Sequence, residues 1–221
     1  MDGRRALVFG ATGLVGKLLT DQLIQSDDYT AIRIFTRKPS AMGGMKKIEE
    51  IIVDFDRLEE ISEKIVGDDL FICLGTTIRK AGSVKKMEEI DRDLPVRIAS
   101  VAHGNGVKRA AIVSSLGASC KSSNYYLRIK GEMEESIRKI GFRTIIIARP
   151  SLLLGERNEK RAGESVSKIA MKLIGKLLTG KLSKYRAIEG GDVAKAMIKA
   201  IVVQEGINVL ESDRLSKLAA E

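Results

Sequence analysis

The chain has 221 residues, 44% of them apolar and 4% aromatic, with no Trp and a formal net charge of +9. That length and apolar content suit one globular domain with a good core rather than a disordered chain. No apolar run reaches the roughly 20 residues that a membrane-spanning helix needs, and two cysteines are too few for a disulfide framework.

The positive charge could serve a nucleic acid or an anionic surface. The cations, however, are scattered along the chain, and no aromatics interleave with them as a stacking platform would need. A basic protein that binds a polyanionic cofactor accounts for the balance, so neither nucleic acid nor membrane is expected as a partner. Residues 1–5 lead straight into a strand pattern, with no sign of a signal peptide. Cys73 and Cys120 fall in different segments and read as free thiols in a reducing compartment. The expected location is therefore the cytoplasm.

An apolar run over residues 6–9 meets a turn in which Gly10, Gly13 and Gly16 recur every third residue. The first glycine allows a sharp exit from a strand, the second a close approach of phosphate to the backbone, and the third tight helix packing. The helix pattern that follows pairs Leu14 with Leu18, and Val15 with Leu19 and Leu23. Its N-terminus would offer free N–H groups and a positive dipole end to a pyrophosphate. Gly10, Ala11, Thr12, Gly13, Leu14, Val15 and Gly16 are thus the expected cofactor cradle.

A second strand over residues 31–36 completes a βαβ unit. At its end a fold that prefers NAD usually places an acid for the adenosine ribose. Here Arg37 and Lys38 stand instead, suited to a 2′-phosphate. NADP(H) is therefore the expected cofactor. Residues 48–53 read as a third strand, followed by Asp54, which is either a neighbour of the adenine or the cap of a helix over residues 57–66.

Residues 70–75 form a continuous apolar run ended by Gly75, as in a strand buried on both faces. Thr76 and Thr77 would then lie at the carboxyl end, where open α/β sheets bind ligands. Cys73 reads as a small core residue and not as a nucleophile. Asp93 is placed to cap the next helix, with Pro95 in its first turn. His103, the only histidine, falls in that helix's last turn. One histidine without a cysteine cluster argues against zinc, and no metal is expected.

A fifth strand over residues 110–113 leads into Ser114 and Ser115, and a helix opening near Ser122 runs to about Ile140. Tyr126 and Lys130, four apart, share one face of it. An ammonium one turn away favours the ionised phenol and can hydrogen-bond a cofactor ribose. The phenol can then pass a proton to or from a carbonyl or alcohol. Ser115, or Ser114, would hold the substrate oxygen.

With these residues in view, the chain resembles an atypical short-chain dehydrogenase/reductase. The glycine turn, the serine pair and Tyr126-x-x-x-Lys130 carry the superfamily likeness. The Tat-interacting oxidoreductase branch and its microbial relatives are similar in more detail. That detail lies in residues 73–77, Asp91-Arg92-Asp93, residues 114–118, residues 122–124, Tyr126-Leu127, Lys130-Gly131-Glu132 and Arg149-Pro150. The resemblance covers about residues 5–203 and implies a Rossmann-type fold and NADP(H). It also implies that Leu74 and Gly75 line the cofactor and that Arg161 belongs to the binding cleft.

The sixth strand spans residues 143–148, and the substrate side follows over about residues 149–190. It would include a loop over residues 155–163 and an amphipathic helix with a basic, solvated face over residues 164–178. A helix near Asp192, a last strand over residues 207–210 and a short terminal helix close the chain. The expectation is one NAD(P)-binding domain over residues 1–221, a doubly wound, mostly parallel sheet of about six or seven strands. The expected activity is an NADP(H)-dependent oxidoreductase, moving hydride to or from a small carbonyl, alcohol or quinone-like substrate. The alternative is an NADP(H)-binding redox sensor without turnover. A protein partner or a homo-oligomer stays open.

Overall fold

The computed structural model describes residues 3–155 and 178–221. Its main sheet has seven strands, all parallel, in the order β3-β2-β1-β4-β5-β6-β9. Strand β1 (Arg4–Phe9) is followed by α1 (Leu14–Gln25), β2 (Tyr29–Thr36) and β3 (Ile48–Ile52), which build outward on one side. The chain then returns to the centre. Strand β4 (Asp69–Ile72) pairs with the other edge of β1, and β5 (Arg109–Val113) and β6 (Thr144–Arg149) continue away from it. The order therefore reverses between β1 and β4, the point beyond whose carboxyl ends open α/β sheets bind their ligands.

Alternation along β1 divides the core. Ala6 and Val8 face one side and pack with Leu19, Leu23, Ile32 and Ile34. Leu7 and Phe9 face the other side, with Phe35, Leu58, Ile98, Met133 and Ile137. Both sets are fully or almost fully buried, because each face of a parallel sheet is covered.

Four local features depart from the expectations. The segment Phe55–Lys64 is a 3-10 helix with non-helical backbone at Arg57, and Asp54 caps it by accepting from Asp56 N at 3.1 Å. The stretch after β4 is broken into α2 (Ile78–Ala81), α3 (Val84–Glu88), a π turn (Glu89–Asp93) and α4 (Leu94–Gly104). Asp93 is itself helical and caps nothing. It takes Arg92 Nε at 2.7 Å, because the helix runs on through the π turn instead of starting there. Helix α5 (Tyr125–Arg138) begins later than expected, capped by the Asn124 side chain on Leu127 N at 3.1 Å.

A two-stranded parallel pair, β7 (Leu153–Leu154) with β8 (Ile188–Glu189), joins the segment after β6 to the segment before α6 (Gly190–Val203). Strand β9 (Gly206–Glu211) and α7 (Ser212–Ala220) complete the chain. Helix α6 packs on α1, and α7 on α6, over the first core. The ring of His103 meets Phe142 edge-on at 5.0 Å, which makes it a packing residue at the end of α4. The expected helix over residues 164–178 and Arg161 lie outside the described residues, apart from Leu178.

Candidate functional site

The glycine turn sits at the reversal of the sheet. Gly10 leaves β1 at φ +86°, a left-handed backbone that a side chain would strain. A Cβ added there would lie 2.6 Å from the Cys73 carbonyl oxygen. The exits of β1 and β4 therefore run side by side. At Gly16 an added Cβ would lie 2.1 Å from the Gly10 oxygen, so α1 can rest on the turn only without a side chain at that position.

Gly13 differs. Its φ is −79°, so it needs no left-handed freedom, and its place is at the N-cap of α1. No side chain caps the first turn, and no acid stands in it. The positive end of a 12-residue helix is thus presented bare beside exposed Thr12 and Gly13. Such a turn fits a pyrophosphate. Ala11 and Val15 are buried and can offer a ligand only their main chain. The Leu14 side chain fills the space left by Gly155 and Gly190, where added Cβ atoms would lie 2.7 and 3.1 Å from it.

At the end of β2, Arg37 and Lys38 are exposed and make no ion pair or hydrogen bond among the described residues. Glu50 of β3 reaches the same loop, but its Oε1 already accepts from Thr36 Oγ1 and Ser40 N, each at 3.0 Å. Asp54 is exposed, and its carboxylate is engaged as the cap described above. After β4, Leu74 packs on the second core, whereas Gly75 is exposed. Thr76 N donates to Asp91 Oδ2 at 3.0 Å.

Asp91 is the residue that sequence reasoning left without a role. The π turn carries it inward until it is fully buried, where its Oδ1 meets Lys130 Nζ at 2.8 Å. Lys130 itself is 1% exposed. Burial opposes its charge, but Asp91, Tyr126 and Glu134 outweigh that cost and hold Lys130 above its ordinary value. One carboxylate thus ties the strand-end loop at Thr76 to the lysine on α5. A carboxylate inside a helical stretch otherwise apolar on its buried face was the signal available in the sequence.

Glu134 lies one further turn along the same face of α5 and is also buried. It accepts from Ser114 Oγ, and from Arg149 Nε at 2.9 Å. Ser114 thus has its hydroxyl proton engaged by Glu134, although it borders the same cavity as Ser115. The Ser115 side chain makes no hydrogen bond among the described residues, and with Tyr126 it lines a cavity of about 730 Å³. Thr76, Ile78, Arg79, Met87, Tyr125, Pro150, Leu152 and Leu153 contribute to its walls. The structure thus brings Ser115 and Tyr126 to one cavity, with Lys130 buried behind. Cys73 packs against the core, and burial pushes its thiol up to about 12, which suits no nucleophile near neutral pH.

A parallel sheet reversing at a glycine turn is the architecture of a Rossmann-type fold. The sequence matches the NAD(P)H-binding family over residues 10–204, and the chain belongs to that family. Protein HTATIP2 of Rattus norvegicus is 32% identical over 205 residues, which cover 91% of this chain and 83% of that protein. "Protein FMP52, mitochondrial" of Candida albicans is 34% identical over 228 residues, 96% of each chain. Among solved structures, MoeE5 in complex with UDP-glucose and NAD superposes with a TM-score of 0.69 at 15% identity, covering 98% of this chain and 81% of that one. The UDP-glucose 4-epimerase of Thermus thermophilus in complex with NAD gives the same TM-score and coverage at 14% identity, a likeness of fold alone.

These relatives correct one expectation. Several fungal relatives carry a mitochondrial designation, which overturns the cytoplasmic reading. Two free thiols are compatible with any reducing compartment and do not choose among them. Among the described residues no helix is long and apolar enough to cross a membrane, and no three His, Cys, Asp or Glu gather to hold a metal.

Proposed function

We propose that this chain is an NADP(H)-dependent oxidoreductase acting on a small carbonyl, alcohol or quinone-like compound. The observation that carries the reading is the α5 face: Tyr126 opens into the cavity beside Ser115, and a buried, charged Lys130 stands one turn behind it. When bound, the nicotinamide supplies or accepts the hydride. Tyr126 gives its phenolic proton to the carbonyl oxygen during reduction, and takes one from the alcohol during oxidation. Ser115 donates a hydrogen bond to the same oxygen and fixes its position. Lys130 stabilises the phenolate that Tyr126 leaves behind.

The main-chain donors of residues 11–16 would hold the pyrophosphate, with Leu74, Gly75 and Thr76 along the far wall. Arg37 and Lys38 would hold the 2′-phosphate. Glu50 supports that loop, its Oε1 accepting from Thr36 Oγ1 and Ser40 N. Asp54 beside the adenine and Arg161 in the cleft complete the proposed set.

The test is NADPH oxidation against a panel of quinones, aldehydes and ketones. Tyr126→Phe keeps the ring and removes the hydroxyl, so kcat should fall by about 10²- to 10⁴-fold with little change in cofactor affinity. Full kcat in that variant would remove Tyr126 from the chemistry. Tight NADP(H) binding by the wild type with no turnover across the panel would favour a redox sensor.

A further inference from the structure

We infer that the substrate is an amphiphile, a carbonyl compound with an apolar body and an oxyanion group, and that Arg79 receives that group. The inference rests on the cavity of the proposed function. Its described walls have an apolar side, formed by Ile78, Met87, Pro150, Leu152 and Leu153, beside neutral polar groups at Thr76, Thr77, Asn124 and Ser151. Among the described lining residues Arg79 alone carries a charge.

Arg79, unlike most of the described arginines, has no described carboxylate partner, and it borders the cavity. Most described arginines are held by carboxylates: Arg33 by Glu49, Arg92 by Asp93 and Glu132, Arg97 by Glu59, Arg149 by Glu134. Arg79 makes no ion pair or hydrogen bond among the described residues and is exposed where it borders the cavity. Its segment is nevertheless built. Thr77 accepts from Lys80 N at 3.3 Å, and Gly82 closes α2 at φ +81°. The neighbouring Ile78 is 51% exposed, an apolar surface set directly beside the cation.

A guanidinium presents paired donors that match a carboxylate or a phosphate. Ser115 and Tyr126 would hold the reacting oxygen at one end of the substrate, and Arg79 the acidic group at the other. A single cation among neutral walls discriminates between charged and neutral molecules of the same shape, because no other described lining residue carries a charge to offset an anion's.

Three aldehydes of one scaffold test this: 4-formylbenzoate, 4-formylphenyl phosphate and methyl 4-formylbenzoate. Dissociation constants are measured by calorimetry on the full chain with saturating NADP⁺, which cannot reduce an aldehyde, and again without cofactor. Binding is thus read without turnover. One or both anions should bind about tenfold more tightly than the ester, and the two anions separate carboxylate from phosphate recognition. Arg79→Ala should abolish the preference and leave ester binding unchanged. Arg79→Lys should restore part of it, having charge without the fork. High salt should weaken the preference, since the group is exposed.

Equal constants for all three aldehydes, or no binding of any, would overturn the inference. So would an Arg79→Ala loss of equal size for ester and anions. If Arg79→Ala instead weakened NADP(H) itself, the residue would belong to the cofactor, and the inference would fall. Anion-selective binding without NADPH oxidation would refute the oxidoreductase reading and leave the Arg79 assignment standing.

Discussion

Removing the charge of Asp91 should cost more stability than any surface change. Asp91→Asn keeps a carbonyl oxygen for Thr76 N but leaves the Lys130 ammonium buried without its counter-ion. Both side chains of the pair are almost wholly buried, at 2% and 0% exposure, so solvent cannot take over. Breaking such a pair by removing one partner costs about 3–5 kcal/mol, a large share of a typical 5–15 kcal/mol. With a urea slope of about 1–3 kcal/mol/M, the midpoint should fall by roughly 1–5 M. The pH dependence carries a second signature. In the wild type Lys130 is held above its ordinary value, so the pair's contribution is full below the unfolded value of about 10.4 and fades only as pH rises through the folded one. In Asp91→Asn burial dominates and the lysine falls below that value. The unfolded chain then binds more protons, and the variant should regain stability as pH rises toward 10.4, by at most about 1.4 kcal/mol per pH unit. Adding Lys130→Met should recover much of the loss, because removing both buried charges costs less than removing one. Urea titrations of the four proteins from pH 6 to 9 would decide it. A loss under about 1 kcal/mol, independent of pH and additive with Lys130→Met, would refute the reasoning.

Arg37→Ala should weaken NADP(H) by about ten- to a hundredfold and leave NAD(H) nearly unchanged, the worth of a charge-assisted contact; equal effects in titrations of both cofactors would sink the assignment. Gly16→Ala forces a Cβ to within 2.1 Å of a backbone oxygen and should cost stability by about 1–3 kcal/mol in thermal or urea unfolding. Gly13→Val should instead keep the fold, at a smaller stability cost than Gly16→Ala, and fail to bind the dinucleotide, since Gly13 has φ −79° and its added Cβ would lie 3.3 Å from the Gly10 oxygen rather than 2.1 Å. A thiol reagent at pH 8 should modify exposed Cys120 rapidly and Cys73 only after unfolding, since a thiol near 12 is ionised in roughly one molecule in ten thousand; equal rates for both would contradict the burial of the Cys73 thiol.

The elements most legible in the sequence were those whose information is local. The glycine turn announces a strand, a sharp exit and a helix within a few residues, because each glycine answers a backbone constraint inside one βα turn. The central strands were readable as apolar runs, since a parallel sheet covered on both faces leaves them no polar alternation, while the edge strand β3 carries Glu49 and Glu50 and β9 (Gly206–Glu211) extends the expected 207–210 by one residue at each end. Tyr126 and Lys130 could be set on one face of a helix from spacing alone, as helical periodicity is itself a local rule.

Pairing across the chain was not legible. Asp91 and Lys130 are far apart in sequence, and only a π turn, which no propensity announces, carries the carboxylate to the ammonium. The same holds for Ser114, Glu134 and Arg149, which meet because β5, α5 and β6 are neighbours in the folded sheet. Two adjacent serines look alike in a sequence; both border the cavity, and packing alone engages Ser114 with a buried carboxylate and leaves the Ser115 hydroxyl without a described partner. The left-handed backbone falls at Gly10, where the spacing asked for a sharp exit from the strand, and not at Gly13. The local chain thus determined the fold class and the helix face that carries Tyr126 and Lys130. The partners of the buried charges were decided only by tertiary structure, because an ion pair in a protein interior depends on which elements the sheet order brings side by side.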